Sequence, residues 1–303
     1  DGDKKAYSLF ARGLLCGLFQ YETSDVIKDA SMRMHPVLVE QLSDLTALIR
    51  PGPYNAGFLD RYLNEDPDFG IPAEVQKLWS KTRGVLVYQE QLMEMFAVFC
   101  GWDLQKCDTV RRAVGKKKEK VLKALYPEFV NDFTSHGGFS QIQADYIWEV
   151  VLGCADYLFN KSHSVAYSLI TYICAYLKAN YTEEFFCALM TIRSDVMDAQ
   201  SWAEKAPQYI MEARELGVII EAPSVNGSDI GFTIKGDTVF FGLNAIRNVG
   251  TGAANKIIKA RGNVRYSSIE NFIERVDTSK INTKVFEALA KAGAFELMGY
   301  KRS

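Results

Sequence analysis

A lysine, two serines and a histidine stand together in the segment YLFNKSHSVAY, which begins at Tyr157 and leads into a long apolar helical pattern. This combination predicts an anion site at a helix entrance. If Ser162 caps the helix, its first free backbone N–H groups and the Lys161 ammonium converge on one point. The alternative is an ordinary capped helix with no ligand.

The same segment carries rings at positions 157, 163 and 167. His163 and Tyr167 are one helical turn apart and therefore share a face. Together with Tyr157, they are suited to present an aromatic surface to a nucleobase beside the anion site. In the alternative interpretation, these rings are partly buried and contact only protein.

Positive charge is concentrated in the run RRAVGKKKEKVLK, which begins at Arg111 and holds seven basic residues. Basic residues in the last turn of a helix often only complement its dipole, and lysine runs are usually solvated. Adjacent arginines can instead hold phosphate oxygens in pairs. Arg111 and Arg112, followed by Lys116, Lys117 and Lys118, are therefore candidates to grip a triphosphate or a strand backbone.

A glycine pattern in the last third of the chain predicts a helix-hairpin-helix motif. In FGLNAIRNVGTGAANKIIKARGN, the residues Gly250, Thr251 and Gly252 would join two short helices. The glycines leave backbone N–H groups at a helix start open to a phosphate. The segment 281–299 is a weaker copy of this pattern. The glycine spacing alone also occurs in ordinary turns between helices that bind no DNA.

Residues that bind metals or perform acid–base catalysis are scattered. The three histidines lack the spacing of a zinc site. Asp44, Asp60, Asp108 and the YQEQ segment from Tyr88 stand singly, without a pair spaced to hold two magnesium ions. We therefore assign no catalytic residue and no metal ligand to this chain.

The composition limits the class of protein. The 303 residues are 48% hydrophobic and 12% aromatic, enough for one large or two modest cores. The net charge of −2 provides none of the overall basic excess that favours nucleic-acid binding. No apolar run reaches the roughly 18 residues of a membrane span, and the first residues do not resemble a signal peptide. We expect a cytoplasmic protein without membrane contact.

Helical periodicity dominates the chain, and strand signals are few and short, so we predict a mainly α fold. A helix over 89–100 should end at Gly101, and the next should be capped by Asp103 and stop at Gly115. Further helices are predicted at 118–132, 140–153 and near 201–216.

Two breaks and one short strand are also predicted. Pro51–Pro53 should form a rigid corner between helical runs, and GVLVY at 84–88 should form a short strand. A hairpin should bend at Lys235-Gly236-Asp237. Because the composition changes after the helix near 201–216, we place a domain boundary near 190–220.

An apolar stripe after Ser164 predicts a buried central helix, because its members recur at helical spacing. They are Val165, Ala166, Leu169, Ile170, Ile173, Cys174 and Leu177.

Eight blocks of the chain resemble, in order and spacing, the alpha subunit of bacterial DNA polymerase III, a C-family replicative DNA polymerase. They cover nearly the whole chain. The blocks are GLFQYE (17–22), ALIRPGP (47–53), GVLVYQEQLM (84–93), RRAVGKKK (111–118), FNKSHSVAYSL (159–169), YTEEFFCALM (181–190), FGLNAIRNVG (241–250) and INTKVFEALAKAGAFELMG (281–299).

The resemblance implies a domain organisation. In that family the blocks form a multi-helix fingers domain with few short strands, followed by a small helix-hairpin-helix module. We expect the fingers domain at 1–200 and a connecting helix and linker at 201–230. A hairpin and a tandem helix-hairpin-helix DNA-binding region should follow at 231–303.

The resemblance also implies site residues. The triphosphate or nearby strand would meet the two arginines, and the nascent base pair would lie near the tyrosines. The expected nucleotide-binding residues are Arg111, Arg112, Tyr157, Asn160, Lys161, Ser162, His163 and Tyr167. The expected DNA-binding residues are Arg50, Lys116, Lys117, Lys118, Gly250, Thr251 and Gly252.

By the same resemblance, the chain would position an incoming dNTP and primer-template DNA for template-directed synthesis. The catalytic aspartates and their Mg²⁺ would belong to a palm domain outside these residues, on the same or a separate chain, and the sliding clamp would be reached through other regions. Alone, the chain should bind but not polymerise. One alternative is a non-enzymatic DNA-binding module, and another is a base-excision enzyme, which would need a catalytic lysine or aspartate soon after the hairpin.

Overall fold

The structure, a computed structural model, describes residues 2–66, 68, 70–116, 118–155, 157–277 and 281–300. Within these ranges there are sixteen α-helices and three short strands, so the predicted mainly α fold is confirmed. Contacts divide the chain into two compact units, Asp1–Ala175 and Tyr176–Ser303. None of the helices in the described ranges is both long and apolar enough to cross a membrane.

The first unit is built from helices. They are α1 Lys4–Ala11, α2 Asp25–Met34, α3 Val39–Leu48, α4 Pro51–Asn55, α5 Phe58–Asn64, α6 Ala73–Leu78, α7 Gln89–Cys100, α8 Leu104–Gly115, α9 Glu119–Ser135, α10 Gln141–Gly153 and α11 Lys161–Asn180, with a short 3-10 helix at Ser80–Thr82. The last residues of α11 belong to the second unit.

Local capping signals determine several of these boundaries. Gly101 ends α7 in the left-handed conformation, with φ 68°, which glycine adopts without steric cost. Asp103 caps α8 by accepting a hydrogen bond from the backbone of Lys106. The proline-glycine-proline segment does mark a corner, but it forms the first turn of α4, with Pro51 at the first helical position.

The core of α7 to α10 is a cluster of aromatic rings around Phe129. Its ring centroid lies 4.8 Å from that of Trp148, 5.1 Å from Phe133 and 5.9 Å from Phe96. All four side chains are buried. These rings pack α7, α9 and α10 together, and Val110 and Val114 of α8 are buried in the same core.

The predicted strand at 84–88 is wrong. Gly84 lies in a turn with φ 78°, and the buried residues Val85 to Tyr88 make one parallel bridge, between Tyr88 and Phe159, and no ladder. The β-branched composition reflects burial rather than pairing, which a propensity argument does not distinguish.

The predicted burial of the apolar stripe on α11 is also wrong. Leu169 and Ile173 are about half exposed, at 46% and 54%, while Ser164, Ser168 and Thr171 are fully buried. The buried hydroxyls bond to neighbouring backbone: Ser164 Oγ donates to the Ser43 carbonyl at 2.8 Å, and Thr171 Oγ1 donates to the Phe19 carbonyl at 2.8 Å. Small hydroxyl side chains let the helix approach closely without orphaned polar groups. Ala166, Ile170 and Leu177 are likewise exposed.

The second unit combines helices with a small sheet. Its elements are α12 Thr182–Val196, α13 Ala199–Glu215, β1 Ile219–Glu221, β2 Thr233–Lys235, β3 Thr238–Phe240, a 3-10 helix Leu243–Ala245, α14 Thr251–Arg261, α15 Ile269–Arg275, α16 Thr283–Lys291 and a 3-10 helix Glu296–Met298.

The sheet has the strand order β1-β3-β2, in which β3 is parallel to β1 and antiparallel to β2. The predicted hairpin is confirmed: Gly236, with φ 62°, lies in the turn between β2 and β3. Buried Val249, Ala254, Ile257 and Phe272 form part of one apolar core under the glycine pattern of the last third.

Candidate nucleotide and DNA site

The first turn of α11 is capped by Asn160, not by Ser162. The side-chain oxygen of Asn160 accepts hydrogen bonds from the backbone N–H of His163 at 2.8 Å and from Ser162 Oγ at 2.7 Å. An amide side chain one residue before a helix is a preferred cap. The expectation of a Ser162 cap assumed that the helix begins two residues later than it does.

A second side chain also occupies this helix start. Glu90, in the first turn of α7, accepts a hydrogen bond from the Lys161 backbone N–H at 3.0 Å and another from Asn160 Nδ2 at 3.2 Å. With the cap at His163, side chains of the protein already satisfy two of the helix-start amides. Fewer backbone amides of this turn are therefore left for a ligand than the sequence predicted.

The segment before α11 is held beside the start of α7 by backbone hydrogen bonds. The Phe159 N–H donates to the Val87 carbonyl at 3.0 Å, and the Gln89 N–H donates to the Phe159 carbonyl at 2.9 Å. This is the parallel bridge centred on Tyr88 and Phe159. The pairing fixes where α11 begins relative to α7.

Four rings form a continuous row along α11. Successive ring centroids are 5.6 Å apart for Phe159 and His163, 4.2 Å for His163 and Tyr167, and 5.3 Å for Tyr167 and Phe19. The predicted shared face of His163 and Tyr167 is therefore confirmed. His163 is exposed and Tyr167 half-buried, so the row reaches the surface.

Tyr157 contacts a different set of residues. Its ring packs edge-on against Phe58 at 5.7 Å and lies against Gly52, in the first turn of α4. Arg50 donates a hydrogen bond to the Tyr157 carbonyl and places its guanidinium 4.3 Å from the ring centroid of Phe159. Partial burial lowers the pKa of Arg50. In this structure Arg50 braces the segment before α11.

Lys161 and His163 lie on different sides of α11, because residues two apart differ by about 200° around a helix. The Lys161 ammonium lies 5.7 Å from the ring centroid of Tyr88 and faces a cavity of about 610 Å³, whereas His163 contacts the ring row. The structure therefore does not bring these two predicted residues together on one surface.

A buried carboxylate, Asp44 of α3, lies in the wall of that cavity. Its two oxygens accept hydrogen bonds from the hydroxyls of Tyr62 and Tyr88, each at 2.7 Å. Burial raises the pKa of Asp44 to about 6, while the two tyrosines and the charges of Lys161 and Arg83 partly oppose that rise.

The two arginines of α8 share one carboxylate but differ in exposure. Arg111 donates to Asp108 Oδ1 through Nε at 2.9 Å and Nη2 at 2.7 Å, and to Gln89 Oε1 through Nη1 at 2.8 Å. Arg112 pairs with Asp108 Oδ2 at 2.6 Å, yet its side chain is 66% exposed. The Arg111 hydrogen bonds, followed by those of Arg112, lower the pKa of Asp108.

The lysines follow directly at the end of α8. Lys116 is the first residue after the helix and Lys118 precedes α9, and both are exposed. Lys117 lies outside the described residues. The exposed Arg112 and these two lysines form a positive surface at the junction of α8 and α9, which we call the basic junction.

The glycine pattern of the second unit begins α14. Gly250 is the residue before the helix, Thr251 its first residue and Gly252 its second. A Cβ placed on either glycine would meet no atom within 4 Å. The helix start is therefore open, with its backbone amides accessible to an anion. The first predicted helix of the motif is reduced to the 3-10 helix Leu243–Ala245.

Comparison with known proteins identifies both parts. Residues 1–137 match the model of the bacterial DNA polymerase III alpha subunit finger domain, and residues 217–303 match that of a helix-hairpin-helix motif. The DNA polymerase III subunit alpha of Saccharopolyspora erythraea is 37% identical over 311 residues, covering 99% of this chain. Those of Aquifex aeolicus and Mycobacterium tuberculosis are 36% and 34% identical, also over 99% of it. This chain belongs to the bacterial DNA polymerase III alpha-subunit family.

The chain is shorter than these family members. It spans about a quarter of the curated relatives, 25% to 26% of their length. In the described part of the chain, no group of three His, Cys, Asp or Glu side chains is arranged to hold a metal ion. The division into fingers, connecting and hairpin regions stays a prediction, since contact density does not assign roles.

Sequence reasoning missed the side chains that link α8 to the start of α11 in the candidate site. Gln89 accepts from Arg111 and its amide nitrogen lies 3.5 Å from the Leu158 carbonyl, while Glu90 holds the start of α11. Both belong to the YQEQ segment, to which we assigned no chemistry because its residues stand singly. The available signal was the position of this segment in a family-like block.

Proposed function

We propose that this chain is the fingers and hairpin portion of a replicative DNA-directed DNA polymerase. It positions an incoming dNTP and primer-template DNA, while a palm domain outside these residues completes the chemistry. One observation carries the proposal: Gln89 and Glu90, on the same turn of α7, join Arg111 of α8 to the start of α11. Two elements with predicted nucleotide-binding residues are thereby held as one frame.

Within this frame, the side chains have different tasks. Arg112 and the other residues of the basic junction face solvent and supply charge for phosphate oxygens, because a guanidinium can hold two of them. The row around His163 and Tyr167 supplies an apolar surface near the base. Asn160 and Ser162 hold the first turn of α11. Lys161 faces the cavity beside Asp44, and Tyr157 packs against Phe58 in the segment before the helix.

The hairpin portion has a separate task. The open amides at Gly250, Thr251 and Gly252 receive a phosphate of the duplex behind the nucleotide, and this contact is independent of sequence. The proposed extents are 1–200 for the fingers, 201–230 for the connection and 231–303 for the hairpin region. Mg²⁺ bound by the palm would assist attack of the primer 3′-hydroxyl, and a sliding clamp would bind elsewhere in a cytoplasmic assembly.

The proposal is tested by single-nucleotide incorporation in the complete polypeptide that contains these residues. We expect Arg112→Ala and His163→Ala each to raise the KM for dNTP by about tenfold or more. Arg33→Ala is the matched control, because Arg33 is also an exposed arginine paired with a carboxylate four residues earlier, Asp29. The 303-residue chain alone should incorporate nothing.

Two results would contradict the proposal. One is extension by the isolated chain with Mg²⁺, in a preparation free of other polymerases. The other is unchanged kinetics in both site variants. If the kinetics are unchanged, and duplex binding depends on salt but not on dNTP, the chain is instead a DNA-binding module without a role in nucleotide selection.

A further inference from the structure

We propose that Glu90 is a positioning residue of the nucleotide site, which fixes the first turn of α11 so that Ser162 and His163 keep the orientation that the substrate needs. This inference rests on the proposed function. Glu90 touches none of the reacting groups in the proposal and acts through Asn160 and the backbone of Lys161.

Glu90 lies at the beginning of two helices. It is in the first turn of its own helix, α7, and its carboxylate accepts the Lys161 N–H at the first residue of α11. Helix starts carry partial positive charge and unpaired N–H donors, so a carboxylate there gains from the charge and from the hydrogen bond. A carboxylate accepts two donors at once, which a hydroxyl or amide at this position would do less strongly.

The influence of Glu90 reaches His163 through one side chain. Asn160 donates from Nδ2 to Glu90, so its Oδ1 is turned towards the His163 N–H and the Ser162 hydroxyl. Without the carboxylate, the Asn160 amide loses one of the three hydrogen bonds that hold this orientation. Ser162 and His163 then lose part of their fixed support, although neither contacts Glu90 itself.

Gln89, the residue before Glu90, connects α7 to α8 and to the segment before α11. Gln89 receives the Arg111 guanidinium and its backbone N–H donates to the Phe159 carbonyl. One turn of α7 therefore sets the position of α8 and α11 together. Misplacement of reacting groups by about 1 Å can cost on the order of 100-fold in rate. Small shifts in this turn of α7 should therefore affect incorporation strongly.

The test measures dNTP incorporation in the complete polypeptide. Glu90→Ala is expected to raise the KM for dNTP about tenfold while the protein stays folded. Glu90→Gln keeps one acceptor oxygen but places an amide donor against one of the two N–H groups that Glu90 accepts, so it should recover only part of the loss. Glu90→Asp, one methylene shorter, should behave like Glu90→Ala. The matched control is Glu94→Ala, which removes an exposed carboxylate one turn further along the same helix.

Amide hydrogen exchange provides a readout that does not depend on catalysis. In the complete polypeptide, peptides covering residues 158–165 should exchange at least several-fold faster in Glu90→Ala than in Glu94→Ala. An unchanged KM in both Glu90→Ala and Glu90→Asp overturns the inference, whatever the exchange shows. So does an equal rise of KM in Glu94→Ala. If Glu90→Ala does not fold, the contrast between Glu90→Asp and Glu90→Gln decides.

The proposed function fails separately. If His163→Ala and Arg112→Ala leave incorporation unchanged, dNTP does not use this site at all. If those variants impair incorporation and the Glu90 variants do not, only the positioning role is wrong.

Discussion

Gly52 lies against the ring of Tyr157, so close that a Cβ at position 52 would stand 2.6 Å from Tyr157 Cδ1. The glycine of the proline-glycine-proline corner is therefore required by a residue more than a hundred positions away. The contact joins the start of α4 to the segment that leads into α11.

Gly52→Ala should destabilise the chain by about 1–3 kcal/mol, because the ring must leave its place in a packed setting. Urea unfolding measures the effect. Gly115→Ala is the matched control, since a Cβ there meets no atom within 4 Å. Equal stability of the two variants would show that Tyr157 moves aside at no cost.

Asp44→Asn should change how stability depends on pH. A raised folded-state pKa means that the folded protein holds a proton which the unfolded chain releases, so stability falls as pH rises from 3.8 to about 6. This loss is on the order of 3 kcal/mol, and the asparagine variant does not undergo it.

The measurement is the difference in the free energy of unfolding between Asp44→Asn and the unchanged chain, from pH 4 to 7. The free energy of unfolding of the variant, relative to that of the unchanged chain, should rise with pH and level off above about pH 6. Asp29→Asn, at an exposed carboxylate, is the control. A constant difference across this range would show that folding does not raise the pKa of Asp44.

Alanine variants of Arg111 and Arg112 should differ in stability, because, within the described residues, only Arg111 is tied to a second helix. Arg111→Ala removes hydrogen bonds to Asp108 and Gln89 and should cost about 1–2 kcal/mol. Arg112→Ala, at a side chain that is 66% exposed, should change stability by no more than about 0.5 kcal/mol. Urea midpoints compare them, and a larger loss in Arg112→Ala would contradict the assignment of the frame to Arg111.

Gly252→Ala should preserve the fold and weaken DNA binding. Its Cβ would meet no protein atom, and alanine is the better helix former by up to about 1 kcal/mol. The added methyl group would, however, stand between a phosphate and the amides of α14, so duplex affinity should fall several-fold.

Fluorescence anisotropy at constant salt tests this, with unfolding measured in parallel. Gly153→Ala, which also adds a Cβ in open space but lies at the end of α10, is the control. Unchanged duplex affinity in Gly252→Ala would remove the hairpin glycines from the DNA contact.

Features set by a few neighbouring residues could be predicted without the structure. The end of α7 at Gly101, the Asp103 cap of α8 and the hairpin around Gly236 depend on local backbone preferences and hydrogen bonds within one turn. The shared face of His163 and Tyr167 follows from helix geometry alone. The family could also be recognised from the sequence, because the eight blocks depend only on the order of residues along the chain.

Only the tertiary structure decided which side of α11 is buried and what holds its start. The periodicity of Leu169 and Ile173 reveals an apolar face of α11 but not whether other helices of the chain pack against it. In the structure, the face with the serines and the threonine is the one that is buried. The bond from Lys161 to Glu90 joins positions 71 residues apart. Such contacts depend on how whole helices pack, and no local pattern contains that information.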